Sequence, residues 1–71
     1  MKIKDAKDFG QMLAIRRKRL GYTLAQVSEI TGLSASFISD LERGKATAEL
    51  AKALYIAGIL GLDISGEERG S

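Results

Sequence analysis

The 71-residue sequence contains no cysteine, no histidine, no proline and no tryptophan. Without cysteine, it can hold neither a disulfide framework nor a thiolate site. Without histidine as well, it lacks the usual ligands for zinc and the base of a Ser-His or Cys-His nucleophile pair. Any catalysis would have to depend on carboxylates and lysines alone. We therefore expect a protein that is not an enzyme and that uses no metal and no cofactor.

Long apolar runs are absent too. No stretch without a charged residue is longer than 53–62, which is far shorter than a membrane-spanning helix. The lysines near the N-terminus are followed by no apolar run of the kind that a signal peptide has. We therefore expect a cytoplasmic protein that does not contact membranes. A lone chain of this length would bury only about 60% of its unfolded surface and would be marginally stable.

Charges are nearly balanced, at a net charge of +2, but they are unevenly distributed. Residues 1–20 contain seven Lys or Arg and two Asp, and residues 16–19 are four consecutive cations. The segment after Gly61 is slightly acidic. A local basic surface is typical of proteins that bind nucleic acid. A solvated helix face is the alternative interpretation, and charge alone does not exclude it.

Capping side chains and glycines divide the chain into four predicted helices. The first three cover about 6–20, 24–31 and 35–43, and the fourth runs from a cap at Thr47 to about Leu60. The predicted N-caps are Asp5, Thr23, Ser34 and Thr47, and the predicted stops are Gly21, Gly32 and Gly44. Apolar residues at three- and four-residue spacing give each helix an inner side. In the second helix these are Val27 and Ile30.

After the fourth helix the chain becomes polar. Residues 62–64 could form a short strand, and residues 66–71 predict a disordered Gly- and Ser-containing tail. We therefore expect a single all-α domain over residues 1–65. The only strand would be the short one at its C-terminal end.

Residues 23–43 carry the most informative pattern. Counting from Val27, a small residue follows at +1, glycine at +5 and apolar residues at +6, +11 and +14. Two helices that cross steeply at a short turn need a glycine able to adopt positive φ and a small residue at their contact. The spacing is that of a helix-turn-helix, whose second helix enters the major groove of DNA. An ordinary αα-corner in a small bundle is the alternative interpretation.

The third helix begins with small side chains, namely Ser34, Ala35, Ser36 and, one turn later, Ser39. We interpret this lack of bulk as space for a DNA duplex. Hydroxyls can bind phosphates or base edges, free backbone N–H groups can bind a phosphate, and an alanine methyl can contact a thymine methyl. Phe37 either covers sugar atoms or packs beside the fourth helix, and we favour packing.

On these residues the sequence resembles a known family. Residues 9–62 resemble the Xre/Cro-type helix-turn-helix regulators of bacteria and phages. Within them, GLSASFISDLERGKATAELAKALYIAGILGLDI is similar to the HipB-type antitoxins, which pair with HipA-type serine/threonine kinases. The resemblance implies a lambda-repressor-like, all-α fold of four or five helices and a dimer that binds double-stranded operator DNA. It also implies autorepression of a toxin–antitoxin operon and inhibition of the kinase in a complex.

Motif and resemblance together predict the residues that contact DNA. They are Thr23, Ser34, Ala35, Ser36, Ser39, Arg43 and Lys45. By its match to the family, Arg43 is placed for a backbone phosphate, and Lys45 follows in the next loop. Asp40 lies near the groove-facing side, where it could repel phosphate or accept a hydrogen bond from a cytosine amine; the sequence does not decide between these roles.

Two positions depart from the family pattern. The family usually has glutamine at the start of the second helix and in the first turn of the third, where this sequence has Leu24 and Ala35. We therefore expect modest base recognition, or recognition that depends on Ser36, Ser39 and water.

An ion pair is predicted between Arg17 and Glu42. Arg17 lies on the inner side of the first helix, one turn from both Leu13 and Leu20, and Glu42 follows Leu41 at the end of the third. The resemblance also implies an Arg–Glu pair that joins these helices. The alternative is two solvated charges that contribute less than about 1 kcal/mol.

The fourth helix is apolar on more than one side, and Glu49 and Lys52 are its only charged residues. One stripe is expected to face the other helices, and it consists of Leu50, Ala53, Leu54, Ala57 and Leu60. The remaining apolar residues, with the strand, predict a two-fold dimer interface. Its residues are Tyr55, Ile56, Ile59, Leu62 and Ile64. The alternative is that a fifth helix or the tail covers this second face.

Three functions are compatible with this sequence. The leading hypothesis is a sequence-specific repressor that is also the antitoxin of a HipA-like kinase. The second is a free-standing or phage-type Xre regulator, which uses the same domain. The third is a protein-interaction module that has lost DNA binding, as Leu24 and Ala35 in place of polar residues would allow.

Overall fold

The computed structural model describes residues 2–45, 49–66 and 68. These residues form four helices and no strand: α1 (Ala6–Arg19), α2 (Leu24–Thr31), α3 (Ala35–Glu42) and α4 (Leu50–Ile59). The predicted all-α fold is confirmed, and the predicted ends of the first three helices agree to within one residue.

Capping explains where α1 begins. The Asp5 carboxylate accepts a hydrogen bond from the backbone N–H of Asp8 at 2.8 Å, as a residue at the N-cap does. The cap predicted for the fourth helix, Thr47, lies outside the described residues. In the structure α4 begins at Leu50, and the side chain of Glu49 at its N-cap makes no capping hydrogen bond.

The helices enclose one apolar core, in which α3 packs against both α1 and α2. The buried residues are Leu13, Val27, Ile38, Leu41, Ala53, Ile56, Ala57 and Leu60. Helix α1 approaches the end of α3 very closely at Gly10, where a Cβ atom would lie 2.6 Å from the carbonyl oxygen of Glu42. This position therefore admits only glycine without a shift of the two helices.

The inner side of α4 differs from the prediction. Ile56, predicted at the dimer interface, is 1% exposed and belongs to the core, whereas Leu50 and Leu54, predicted inside, are 71% and 42% exposed. Both arrangements share Ala53, Ala57 and Leu60. At roughly 100° per residue, Ile56 lies about 60° from Ala53 on one side of this stripe and Leu54 about 100° on the other. In a helix almost without charges, sequence could not decide between them.

Three smaller predictions also change. Ile30, predicted on the inner side of α2, is 49% exposed, and Val27 is the buried residue of this helix. Residues 62–64 form no strand in this single chain, and Leu62 packs partly against the chain's own core. Of the predicted tail, Gly66 and Glu68 are exposed, and the rest lies outside the described residues.

Candidate nucleic-acid interface

Hydrogen bonds fix the turn between α2 and α3. Gly32 adopts φ +77°, the left-handed conformation predicted for the turn glycine, and its N–H donates to the Ser28 carbonyl at 2.9 Å. The Ser28 hydroxyl donates to the Leu33 carbonyl at 2.6 Å. Ser28 is therefore small enough for the helix crossing and also ties α2 to the residue after the turn. The angle at which α3 leaves α2 is thus set within the chain.

The first turn of α2 is closed by a capping box. The Gln26 N–H donates to Thr23 Oγ1 at 3.1 Å, and the Thr23 N–H donates to Gln26 Oε1 at 2.8 Å. Thr23 is exposed, as a DNA-contacting residue must be. Leu24, which stands at the family's glutamine position, packs partly against the core. This side chain is therefore a packing residue, and α2 can offer DNA the backbone and hydroxyl of its cap.

One side of the N-terminal part of α3 presents only small side chains. Ser34 and Ser36 are exposed, and Ala35 and Ser39 are partly exposed. Ser34 Oγ accepts from the Phe37 N–H at 3.0 Å, which leaves its own hydroxyl hydrogen available. Within the described residues, Ser36 makes no side-chain hydrogen bond. A duplex could reach this side of α3 without displacing a large side chain.

Phe37 does not belong to this surface. Its ring packs partly against the core, and the Lys52 ammonium on α4 lies 5.7 Å from the ring centroid. The preferred interpretation, packing beside the fourth helix, is therefore confirmed. A cation at this distance from a ring is within the range of cation–π attraction.

Two cations follow α3 in the sequence, and both contact Asp40. Arg43 Nη2 donates to Asp40 Oδ1, and Lys45 Nζ lies 3.5 Å from Asp40 Oδ2. The side chains of Arg43 and Lys45 are 68% and 60% exposed, so both can reach solvent or a phosphate. The hydrogen bond from Arg43 is the main cause that lowers the pKa of Asp40, which is therefore ionised at neutral pH.

The predicted pair between Arg17 and Glu42 is present. Arg17 Nε lies 2.7 Å from Glu42 Oε2, Nη2 lies 3.0 Å from Oε1, and Nη1 donates to the Tyr22 carbonyl at 2.9 Å. The two side chains are 11% and 10% exposed. Hydrogen bonding to the Glu42 carboxylate raises the pKa of Arg17. One guanidinium thus connects α1, the end of α3 and the residue before the cap of α2.

A neighbouring arginine was not singled out by the sequence. Arg16 Nε donates to the carbonyl of Leu60 at 2.8 Å, at the end of α4. In the sequence, this residue could only be seen as one cation in a run of four. Arg16 therefore connects α1 to the end of α4, and Arg17 connects α1 to the end of α3.

The sequence profile of a family described as a helix-turn-helix domain matches residues 8–70. The chain belongs to this helix-turn-helix family. The match covers α2, α3, α4 and all but the first two residues of α1, so the interpretation as an ordinary αα-corner is wrong. Membership of a family of DNA-binding regulators also confirms the expectation that this is not an enzyme.

Two curated helix-turn-helix relatives extend the match. The chain is 35% identical over 72 residues to an uncharacterized HTH-type transcriptional regulator, y4mF, of Sinorhizobium fredii (strain NBRC 101917 / NGR234), covering 96% of this chain and 95% of that protein. It is 36% identical over 62 residues to the immunity repressor protein of Bacillus phage phi105, covering 83% of this chain but 43% of the repressor. The first relative is thus named as a transcriptional regulator and the second as a repressor.

Solved structures with the same fold include HipB complexes. A HipB–O4 20-mer complex superposes with a TM-score of 0.87 at 18% identity and covers 99% of both chains. A HipA–HipB–O2–O3 complex gives the same values. At such low identity the superposition establishes the fold, which agrees with the HipB-like architecture expected from the sequence.

The second apolar face of the helix-turn-helix domain remains on the surface. Tyr55, Ile59 and Ile64 are 47%, 42% and 48% exposed, whereas Leu62 is partly buried. Four of the five predicted interface residues are therefore accessible at least in part, and Ile56 is not. Within the described residues, no helix combines the length and apolar character needed to cross a membrane.

Proposed function

We propose that this protein is a sequence-specific repressor that binds operator DNA as a homodimer in the cytoplasm and is the antitoxin of a HipA-like kinase. The observation that carries DNA binding is one side of the N-terminal part of α3, where Ser34 and Ser36 are exposed and Ala35 and Ser39 are partly exposed. The turn at Gly32 and the ion pair of Arg17 with Glu42 hold α3 in place. A binding helix that is positioned before DNA arrives loses little entropy on association.

The contacts divide into two kinds. In the major groove, Ser36 and Ser39 offer hydroxyls to base edges, and Ala35 offers a methyl. Along the backbone, the caps Thr23 and Ser34 and the cations Arg43 and Lys45 bind phosphates. Phosphate contacts set the register and carry no sequence information directly. Base recognition would therefore depend on a few small side chains and on bridging water.

The homodimer follows from the apolar face of α4. Tyr55 and Ile59 expose large apolar surfaces on one side of a helix whose other side is already in the core. Burying this face against a second copy would add apolar contacts that a chain of this size lacks. A two-fold dimer would place two copies of α3 about 34 Å apart, one turn of DNA. Leu62 and Ile64 extend the same interface.

The antitoxin role is supported by the similarity in fold to HipB chains, one of which is in a complex with HipA. The free-standing or phage-type regulator is the second candidate, and the 36% sequence identity to a phage immunity repressor supports it. A kinase gene in the same operon would separate the two. If one is present, the purified kinase and this protein should co-elute, and the protein should inhibit the kinase. A kinase that neither co-elutes nor is inhibited contradicts the antitoxin role.

Salt-dependent binding to duplex DNA tests the function common to both candidates. Affinity measured by fluorescence anisotropy should fall steeply between about 50 and 200 mM salt, since each cation–phosphate contact releases a counterion. A duplex taken from the protein's own promoter should bind more tightly than a duplex of shuffled sequence. No salt-dependent affinity for either duplex would favour the interaction module instead.

A further inference from the structure

Asp40 lies on α3, in a protein that we propose binds the negatively charged DNA backbone. Its carboxylate faces two cations. One oxygen accepts from Arg43 and the other lies 3.5 Å from the Lys45 ammonium. Both cations belong to the end of α3 or to the loop that follows it. The carboxylate is 29% exposed, so solvent and DNA can approach all three side chains.

The side chain of Asp40 is not needed to build the end of α3. The backbone carbonyl of Asp40 accepts from the N–H groups of Arg43 and Lys45 at 3.2 and 3.1 Å. These bonds close the C-terminal turn, and a change of side chain leaves them intact. Exposed ion pairs also contribute little to stability. The carboxylate therefore does something other than hold the fold.

Its effect on the surface charge is direct. Without Asp40, Arg43 and Lys45 would present two charges to the phosphates of any sequence, and each contact would add to non-specific affinity. With Asp40, the three side chains present one net positive charge. A phosphate must then compete with a carboxylate that already contacts both cations.

We propose that Asp40 is a positioning residue that restrains Arg43 and Lys45 and so weakens binding to DNA of any sequence. The inference rests on the proposed function of DNA binding. Its consequence is that base contacts from the small side chains of α3 supply a larger share of the affinity for the operator. A role of Asp40 as an acceptor from a cytosine amine is the competing possibility, and it makes the opposite prediction.

The test compares Asp40→Asn with wild type on a shuffled duplex and on the operator across a salt series. For each protomer in contact, loss of the carboxylate should tighten binding to the shuffled duplex by about fivefold to tenfold at ~0.1 M salt, the effect of about one further counterion released. It should also steepen the salt slope by about one unit for each protomer in contact. Because phosphate contacts carry no sequence information directly, affinity for the operator should rise by a similar factor.

Three variants make the result specific. Asp40→Glu keeps the charge and should restore the wild-type slope and affinities. Glu29→Gln removes one exposed charge from α2 and should change neither. In a background that carries both Arg43→Gln and Lys45→Gln, adding Asp40→Asn should no longer tighten binding, since the cations through which Asp40 acts are gone.

Each contrary result has a distinct meaning. If wild type binds DNA but Asp40→Asn leaves the shuffled-duplex slope unchanged, the inference is wrong and the proposed function stands. If Asp40→Asn weakens operator binding and alters preference at one base pair only, Asp40 contacts that base instead of restraining the cations. If tightening persists without Arg43 and Lys45, the carboxylate acts directly on DNA. If wild type binds no duplex, both proposals fail.

Discussion

Arg17 and Glu42 form a forked ion pair between α1 and α3, with contacts of 2.7 and 3.0 Å and side chains about one-tenth exposed. The third arm of the guanidinium donates to the Tyr22 carbonyl. Because Glu42 is the last residue of α3, the pair fixes the C-terminal end of this helix, opposite to the end proposed to meet DNA. Removal of either partner leaves a shielded charge without its counter-charge.

Arg17→Met should therefore lower the free energy of unfolding by roughly 1–3 kcal/mol, and Glu42→Gln should do so by a similar amount. The double variant should lose less than the sum of the single losses, because the second change removes the charge that the first left unpaired. Urea unfolding at neutral pH measures all three. Strict additivity would mean that the two side chains do not interact energetically.

The close approach of α1 to α3 at Gly10 gives a second prediction. A Cβ at this position would overlap the carbonyl of Leu41 and lie 2.6 Å from that of Glu42, and neither backbone atom can rotate away. Gly10→Ala should therefore lower the free energy of unfolding by about 1–3 kcal/mol, although alanine is the better helix former.

Gly58→Ala is the matched control, because Gly58 also lies inside a helix and a Cβ there meets nothing within 4 Å in the single chain. It should be neutral or should stabilise the protein by up to about 1 kcal/mol. Thermal unfolding of both variants decides the point. Equal effects of the two substitutions would show that helix propensity, and not the contact with α3, governs position 10.

The features that the sequence predicts correctly are those that local chemistry decides. The cap at Thr23, the positive φ of Gly32 and the ends of α1–α3 depend on neighbours only a few residues away. The pair of Arg17 and Glu42 was predicted because both residues adjoin core positions and the family resemblance agreed. Of the predicted DNA contacts, the structure establishes exposure, and binding itself stays a prediction.

The failures concern relationships between elements. The sequence places Ile56 outside the core, because a small rotation of α4 about its axis exchanges Ile56 for Leu54 and leaves Ala53 and Ala57 buried in both arrangements. The close contact at Gly10 is not among the predictions, although a glycine in the middle of a helix is itself a signal of close packing. The surroundings of Asp40 depend on where the loop after α3 brings Lys45, and no periodicity predicts the path of a loop.

Because Ile56 is buried and Ile59 is exposed, stability and association can be tested by different substitutions in α4. Ile56 is buried, so Ile56→Glu should prevent folding and says nothing about a dimer. Ile59 is 42% exposed, so Ile59→Glu should leave the fold of the protomer intact but shift sedimentation from dimer to monomer. Because a palindromic site needs two recognition helices, operator affinity should fall with it.

The control for association is Ile30→Glu, which changes an isoleucine of similar exposure on α2. It should leave the sedimentation coefficient unchanged. Analytical ultracentrifugation at tens of micromolar protein, together with circular dichroism, distinguishes dissociation from unfolding. A wild-type protein that sediments as a monomer under these conditions would contradict the proposed homodimer.

The last prediction concerns the surface that should meet DNA. Ser36 is exposed at the second position of α3, and its side chain bonds to no other described residue. Ser36→Glu adds bulk and negative charge where a duplex must approach, so operator binding should be lost. Stability should change by less than about 0.5 kcal/mol, since the carboxylate lies near the positive end of the helix dipole.

Ala51→Glu makes a comparable change at the second position of α4, where the chain is also exposed, and should leave operator binding intact. Anisotropy titrations and thermal unfolding of both variants provide the measurement. If Ser36→Glu binds the operator as tightly as wild type does, the first turn of α3 is not the surface that meets DNA.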